Sequence, residues 1–331
     1  MKSRGEPVDL SRLKTYSISA RGHKVALAGL AGLPPRGASF SAWLAALPDF
    51  LGAKALRAAA AAIVAARGAR RPVVFAMGAH VIKVGCAPVV IDLIERGVIT
   101  AVAMNGATAI HDVEMATLGE TSEEVAETIR DGRFGMVRET ADFFAEAALR
   151  GASGVGLGAA CGRLLLERRA RHARISVLAA ASRCGVPVSV HVAIGTDTIH
   201  MHAQVDGAAI GAASAADFRL ICGQVTNLGA ARRGGAGGVW CNVGSAVILP
   251  EVFLKAVAVA RNLGHDLDAM TTVNLDMLRH YRPHQNVLTR PVSRGHGIEV
   301  VGHHEITLPL LRQAVIELTP AARGSKRKGV R

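Results

Sequence analysis

The chain has 331 residues, of which half are hydrophobic and only 4% aromatic, and a formal charge of +13. That length can bury a substantial core, and an interior of Ala, Val, Leu and Gly favours helices packed closely on a sheet over an aromatic-rich β-sandwich. The charge suggests nucleic acid until it is located: a net +9 of the +13 falls in the first 24 residues and in the tail TPAARGSKRKGVR. No aromatic surface interleaves with these charges and no nucleic-acid motif accompanies them, which argues against a nucleic-acid partner.

Five isolated cysteines without a CxxC pair fit reduced thiols in a cytoplasmic protein. The N-terminus is charged and lacks an apolar signal core, and the run AAAAAIVAA, bounded by Arg57 and Arg67, is too short to cross a membrane. The expected organisation is a basic segment over 1–30, one α/β domain over 31–318, and a basic disordered tail over 319–331.

In chain order, apolar strand-like runs alternate with helical patterns. VVFAM at 73–77 precedes a helix over 87–96, and VITAVAM at 98–104 precedes one from about 108. Residues 122–185 are mostly helical and read as an insertion. VPVSVHVAI follows at 186–194, then GGVWCNV at 237–243 with a helix over 250–262. LDAMTTVNL at 267–275 and GIEVVG at 297–302 complete the series, the last followed by a helix over 305–318. Near-continuous apolar strands alternating with helices predict a Rossmann-like, mostly parallel sheet covered on both faces.

Polar and glycine residues gather where these strands end: GAHVIKVG, NGATAIHD, GTDTIHMH, GSA, NLD and HHE. In an open parallel sheet the carboxyl edge is where loops and helix N-termini converge on a ligand. Glycines allow close backbone approach and helix N-termini favour phosphate, so six such loops describe a site of dinucleotide size. No G-x-G-x-x-G follows any strand, and GAARRGGAGG lacks the Lys-Ser/Thr ending of a P-loop. That run is expected to be a flexible loop.

The pattern as a whole resembles the deoxyhypusine synthase family between about 72 and 318. The resemblance rests on the order and spacing of GAHVIKVG, NGATAIHD, GTDTIHMH, AADFRLICGQV, GGVWCNVGSA, TTVNLD, YRPHQNVLTRPV and HHEITLPLLRQAV. It implies an NAD-binding α/β fold and a homotetramer with active sites shared between subunits. It also implies oxidation of spermidine by NAD and transfer of an aminobutyl group through a lysine imine. Cofactor contacts would fall on Gly78, Ala79 and His80; on Asn105, Gly106, Ala107 and Asp112; and on Asp197, Gly244, Ser245, Thr271 and Asp276. His111 replaces a family acid. The catalytic lysine is missing: alignment on Arg282-Pro283 puts Pro291 at its position, Thr289 at a Trp and Gln285 at an acid. The family's deprotonating His falls near Leu249 or Pro250. Proline cannot form a Schiff base, so the resemblance implies an NAD-dependent enzyme acting at a carbon–nitrogen bond of an amine, and not authentic deoxyhypusine synthesis.

The residues themselves offer further candidates. His111 could move a proton near neutral pH, and Asp112 or Glu114 could hold a ribose hydroxyl or a substrate amine, although Asp112 could equally cap a helix. Lys83, in an apolar stretch, would be a nucleophile if desolvated, or a lysine snorkelling from a helix. Arg282 and Arg290 could bind an anionic substrate or form a solvated basic loop. His200 is a candidate proton carrier. His200, His202, His303 and His304, with Asp197 and Glu305, also permit a metal-dependent enzyme on the same scaffold. A non-catalytic nucleotide-binding homologue is the third alternative.

Overall fold

In the computed structural model, which describes residues 5 and 7–320, six parallel strands form one sheet: β1 (Val73–Met77), β2 (Ala101–Asn105), β3 (Val188–His191), β4 (Val239–Val243), β5 (Thr271–Asp276) and β6 (Gly297–Val301). Their spatial order is β3-β2-β1-β4-β5-β6. This is the doubly wound order in which the chain reverses direction between β1 and β4. All six carboxyl ends therefore share one rim.

Helices α1 (Phe40–Ala46) and α2 (Leu51–Gly68) precede the sheet, and α3 (His80–Lys83) and α4 (Ala87–Glu95) join β1 to β2. Between β2 and β3 run α5 (Gly106–Thr117), α6 (Val125–Thr128), α7 (Arg138–Arg150), α8 (Leu157–Glu167) and α9 (Val177–Cys184). The long α10 (Gly207–Thr226) leads to β4, and α11 (Ile248–Asn262) leads to β5. A short turn α12 (Tyr281–Pro283), continued by a π-helical stretch over His284–Thr289, leads to β6, and α13 (His304–Leu318) follows it.

Alternation along the strands explains the two layers. Val73, Phe75 and Met77 of β1 face a core shared with α2, α4, α5, α8, α9 and α13, whereas Val74 and Ala76 face a second core with α10 and α11. On that second face the small Ala76, Ala101 and Ala103 leave room for Trp240, which stacks on Phe253 with ring centroids 4.3 Å apart. Both rings are fully buried, so Phe253→Ala would remove about 3–5 kcal/mol. The helices between β2 and β3 share the first core: Leu157, Leu164 and Val177 pack with Val102 and Met104.

The glycine-rich run at 229–238 differs from the loose loop that its composition suggests. A Cβ on Gly229, Gly237 or Gly238 would strike the carbonyls of Asp266, Ala269 or Pro72 at 1.9, 2.2 and 2.6 Å. These glycines let chain segments close tightly at the amino edge of the sheet, opposite the rim. Residues 8–33 carry large exposed apolar side chains such as Leu10, Leu27 and Leu33. The expected tail over 319–331 lies almost wholly outside the described residues.

Candidate active site

The rim has two halves. In the first, β1 and β4 are neighbours whose following helices leave on opposite faces, α3 and α4 into the first core and α11 into the second. Gly78 and Gly244 meet at this switch point: a Cβ on Gly78 would lie 2.2 Å from the Gly244 carbonyl, and Gly244 has φ +67. The Gly78 N–H still donates to the Val243 carbonyl at 2.9 Å, extending the β1–β4 ladder to the rim. Buried Ser245 accepts the Leu249 N–H at 3.2 Å and so sets the start of α11. Beneath it, the Asn242 amide donates to the Ser245 carbonyl at 2.9 Å and to the Asn274 side chain at 2.8 Å. Asp276 ends β5 and is buried, with Oδ1 accepting the Leu278 N–H at 3.3 Å. His304 opens α13 with its ring against Gly244, and exposed His80 stands 6.4 Å away between ring centroids.

The second half lies at the ends of β2 and β3. Asn105 caps α5, its Oδ1 accepting the Thr108 N–H at 2.9 Å and the Thr108 hydroxyl at 2.6 Å. Gly106 is required because Asp197 crosses over it; a Cβ there would lie 1.9 Å from Oδ2. Burial pushes the Asp197 carboxyl up to about 6, against the lowering effect of the Ala107 N–H. Its Oδ2 has no partner. The protein's own carboxylate thus occupies the N-terminus of α5, the place a phosphate would otherwise favour. His200 closes a capping box with Asp197, and its Nδ1 accepts the N–H groups of Gly195 at 3.1 Å and Asp197 at 3.3 Å. Two donors on Nδ1 leave the ring proton on Nε2, which is buried and unpartnered. Beside this loop a cavity of about 330 Å³ is lined by His191, Val192, Ile194, Ser214, Phe218 and Val252. His191 is buried and held down to about 4 by desolvation, with Nε2 2.9 Å from the Ser189 hydroxyl.

Gly78, His80, Asn105, Gly106, Asp197, His200, Gly244, Ser245 and Asp276 therefore share the rim. The remaining candidates stand elsewhere. Thr271 is the first residue of β5, at the amino edge and paired with Val239, about 17 Å along the strand from Asp276. Asp112 is fully buried and clasps the start of α9, accepting the N–H groups of Val177 at 2.8 Å and Leu178 at 3.0 Å and the Ser176 hydroxyl at 2.6 Å. Its carboxyl is pushed up to about 6 by burial despite these bonds. The helix-capping alternative describes it, although the helix is α9 and not its own.

His111 and Glu114 form a network along α5. Glu114 accepts the hydroxyls of Thr121 at 2.5 Å and Thr140 at 2.9 Å, and His111 Nδ1 lies 2.6 Å from Thr121. Burial lowers the His111 pKa, Glu114 raises it, and Lys83 adds a smaller lowering effect. Lys83 itself is exposed, so the desolvation needed for a free amine nucleophile is absent. Arg282 lies 3.3 Å from Glu251, and Arg290 donates to Asn286 at 2.8 Å and to Tyr281 at 3.3 Å. Glu251 also accepts from Asn286, so these two arginines already belong to a protein network.

The four histidines weighed for a metal do not converge. His200 and His202 follow β3 and His303 and His304 follow β6, at opposite edges of the sheet and about 24 Å apart by strand spacing. Among the described residues no group of three or more His, Cys, Asp or Glu is arranged to hold a metal ion. Pro291, aligned with the family lysine, is also away from the rim. Its carbonyl accepts from Arg261 at the end of α11, and nearby Val287 accepts from Thr272 at the start of β5.

No family model and no curated protein matches the chain. Solved structures do. The putative deoxyhypusine synthase from Entamoeba histolytica superposes with a TM-score of 0.51 at 11% identity, over 86% of this chain and 95% of that one. The conserved putative LOR/SDH protein from Methanococcus maripaludis S2 gives 0.50 at 14%, over 82% and 71%. Unliganded AgrE gives 0.51 at 18%, over 80% of this chain but 32% of its own, so this chain spans about a third of AgrE. AgrE has also been solved with ornithine and NAD+. With six parallel strands in doubly wound order, this chain has a deoxyhypusine synthase-like fold of the Rossmann-like α/β class.

Proposed function

We propose that the chain is an NAD-dependent enzyme acting at a carbon–nitrogen bond of an amine or polyamine-like substrate, in a cytoplasmic homotetramer. The observation that carries this reading is the switch point itself, where Gly78 and Gly244 bring two strand ends and oppositely directed helices together. The residues present fit a dinucleotide there. Gly78, His80, Gly244, Ser245 and Asp276 would hold it, and the positive φ of Gly244 bares the backbone for close approach. Asn105 and Gly106 would border it, with the carboxylate of Asp197 keeping phosphate away from that side.

NAD, when bound, supplies the hydride acceptor for oxidation of the carbon next to nitrogen. The chain's own groups would manage the rest. Asp197 Oδ2 is a buried acceptor without a partner, on a carboxyl that burial pushes up to about 6, and it would pair with the substrate amine and take the proton released from nitrogen. His200 offers a fixed Nε2–H to orient the same group. The cavity beyond His191 is apolar apart from His191 and Ser214, and would seat the carbon chain of the amine. His111 and Glu114 lie further along α5 and would support the loop through Thr121 and Thr140. No lysine in the described rim is buried for imine formation, which separates this activity from deoxyhypusine synthesis.

The test is calorimetric titration with NAD followed by an amine screen that monitors NADH absorbance. Micromolar NAD binding with amine-dependent NADH formation, lost in Asp197→Asn, is expected. Tight NAD binding with no turnover of any amine would instead favour the non-catalytic homologue, and no NAD binding at all would overturn the reading.

A further inference from the structure

Between α5 and α7 the chain makes an excursion over residues 118–139 that contains only the one-turn helix α6. From 117 to 139 a single residue, Gly135, is buried, and Leu118, Val125, Ile129, Met136 and Val137 leave their side chains in solvent. An excursion that buries so little apolar surface has little local stability to resist opening. Its ends are nevertheless joined at one point. Glu114 on α5 accepts the Thr121 hydroxyl at 2.5 Å with one oxygen and the Thr140 hydroxyl at 2.9 Å with the other. Thr121 gives its proton to Glu114, so His111 Nδ1 donates to the same hydroxyl at 2.6 Å. Gly119, Ser122 and Gly132 take left-handed φ values of +90, +70 and +78, which bend the chain on either side of α6.

The tip lies on the turn that carries Asp197 and His200. Gly135 has φ +74, and a Cβ there would stand 2.7 Å from Thr198 Cγ2 and 2.7 Å from the Met201 methyl. Thr198 follows Asp197 and Met201 follows His200, so this contact reaches the pair through their immediate neighbours. Two hydrogen bonds fix the tip. The Gly135 N–H donates to Glu123 within the excursion at 2.7 Å, and the Gly135 carbonyl accepts from His202 Nε2 at 2.9 Å. The second bond crosses to the turn.

We propose that residues 118–139 are a flap over the Asp197–His200 end of the rim, hinged at Glu114 and latched by the His202–Gly135 bond. Opening releases the turn from Gly135 and exposes the buried His200 Nε2 to an incoming ligand. Closure fixes the turn again and shields the pair from water. His202 is a positioning residue that acts on Asp197 and His200 through the latch. The use of the flap in admitting an amine rests on the function proposed above, whereas its motion does not.

The experiment uses the full chain, hydrogen exchange, and carbethoxylation of histidines by diethyl pyrocarbonate read by mass spectrometry. In wild type, amides of 123–136 should exchange at least about a hundredfold faster than those of 143–148 in the buried part of α7. His202→Leu, which deletes the latch donor, should speed exchange of 123–136 about fivefold and carbethoxylation of His200 by the same factor, with the melting temperature near that of wild type. His202→Gln keeps an N–H donor and should recover part of both. Protection of 123–136 equal to that of α7 in wild type would overturn the flap, and this readout stands even if the leucine variant fails to fold. Faster exchange in His202→Leu with His200 carbethoxylated no faster would overturn it too, since the flap would not govern access. All the expected changes without NAD-dependent turnover of any amine would uphold the flap and count against the amine reading alone.

Discussion

Among the described residues, three helix starts meet a buried carboxylate from elsewhere in the chain, and a fourth, α13, opens on a buried imidazole of its own. At α9 the first N–H groups are taken by Asp112, at α8 the Gly158 N–H is taken by Asp217 at 2.9 Å, and at α5 Asp197 stands over Gly106. Each is a carboxylate from a distant part of the chain. It neutralises the partial positive charge of a helix start and ties one element to another. At α13 the side chain is an imidazole buried against Gly244 at the switch point, and neither of its nitrogens has a partner. The contrast separates acids that serve architecture from a polar group that the fold leaves for something else. Asp197 and Asp217 stand between the two types, since each has one bonded oxygen and one without a partner.

The largest effect should come from breaking an architectural clasp. Asp112→Ala would strand two backbone N–H groups and the Ser176 hydroxyl in the core, and chemical denaturation should show a loss of about 3 kcal/mol or more. A loss below about 1 kcal/mol would mean that the α9 start finds other partners.

Two buried histidines sharpen the comparison further, because His191 has a partner in Ser189 and His304 has none. The folded-state pKa of His191 is held down to about 4, below its unfolded value of 6.5. Between those pH values the unfolded chain binds the extra proton, so stability falls as pH drops from 6.5 towards 4. The contribution is on the order of 3 kcal/mol across the window. His191→Gln should shrink that acid-side loss, as read from melting temperatures over the same range. An unchanged pH profile would show that His191 titrates normally.

A smaller effect is expected at the glycine that admits His304. Gly244→Ala combines a left-handed backbone with a Cβ 2.6 Å from the ring, and should cost about 1–3 kcal/mol by thermal denaturation. In the double variant with His304→Leu the clash changes partner, so the cost of Gly244→Ala should differ from its cost in the wild-type background.

Much of this architecture was legible in the sequence. The six strands were readable because parallel strands covered on both faces are almost uninterrupted apolar runs, and their ends marked the rim through Gly78, Gly106, Gly244 and Asp276. Strand starts were less clear: Val98 and Ile99 are buried like strand residues but belong to the turn before β2, and β5 begins only at Thr271. That shift is why Thr271 lies at the wrong edge for a rim residue. Asp112 was ambiguous for a different reason. An acid in the second turn of a helix reads the same whether it faces a ligand or a helix that begins 65 residues later. The burial of His304 without a hydrogen-bond partner has no sequence signal, because it depends on how α13 packs against Gly244. His191, inside the apolar run of β3, reads as an ordinary strand residue.

The central claim is that the carboxyl rim at the β1–β4 switch point binds a dinucleotide, and hydrogen exchange with and without NAD tests it most directly. NAD should slow exchange in peptides covering 78–84, 244–249, 276–278 and 302–307, and leave 229–238 at the amino edge unchanged. Protection confined to the amino edge, or none at saturating NAD, would contradict the claim.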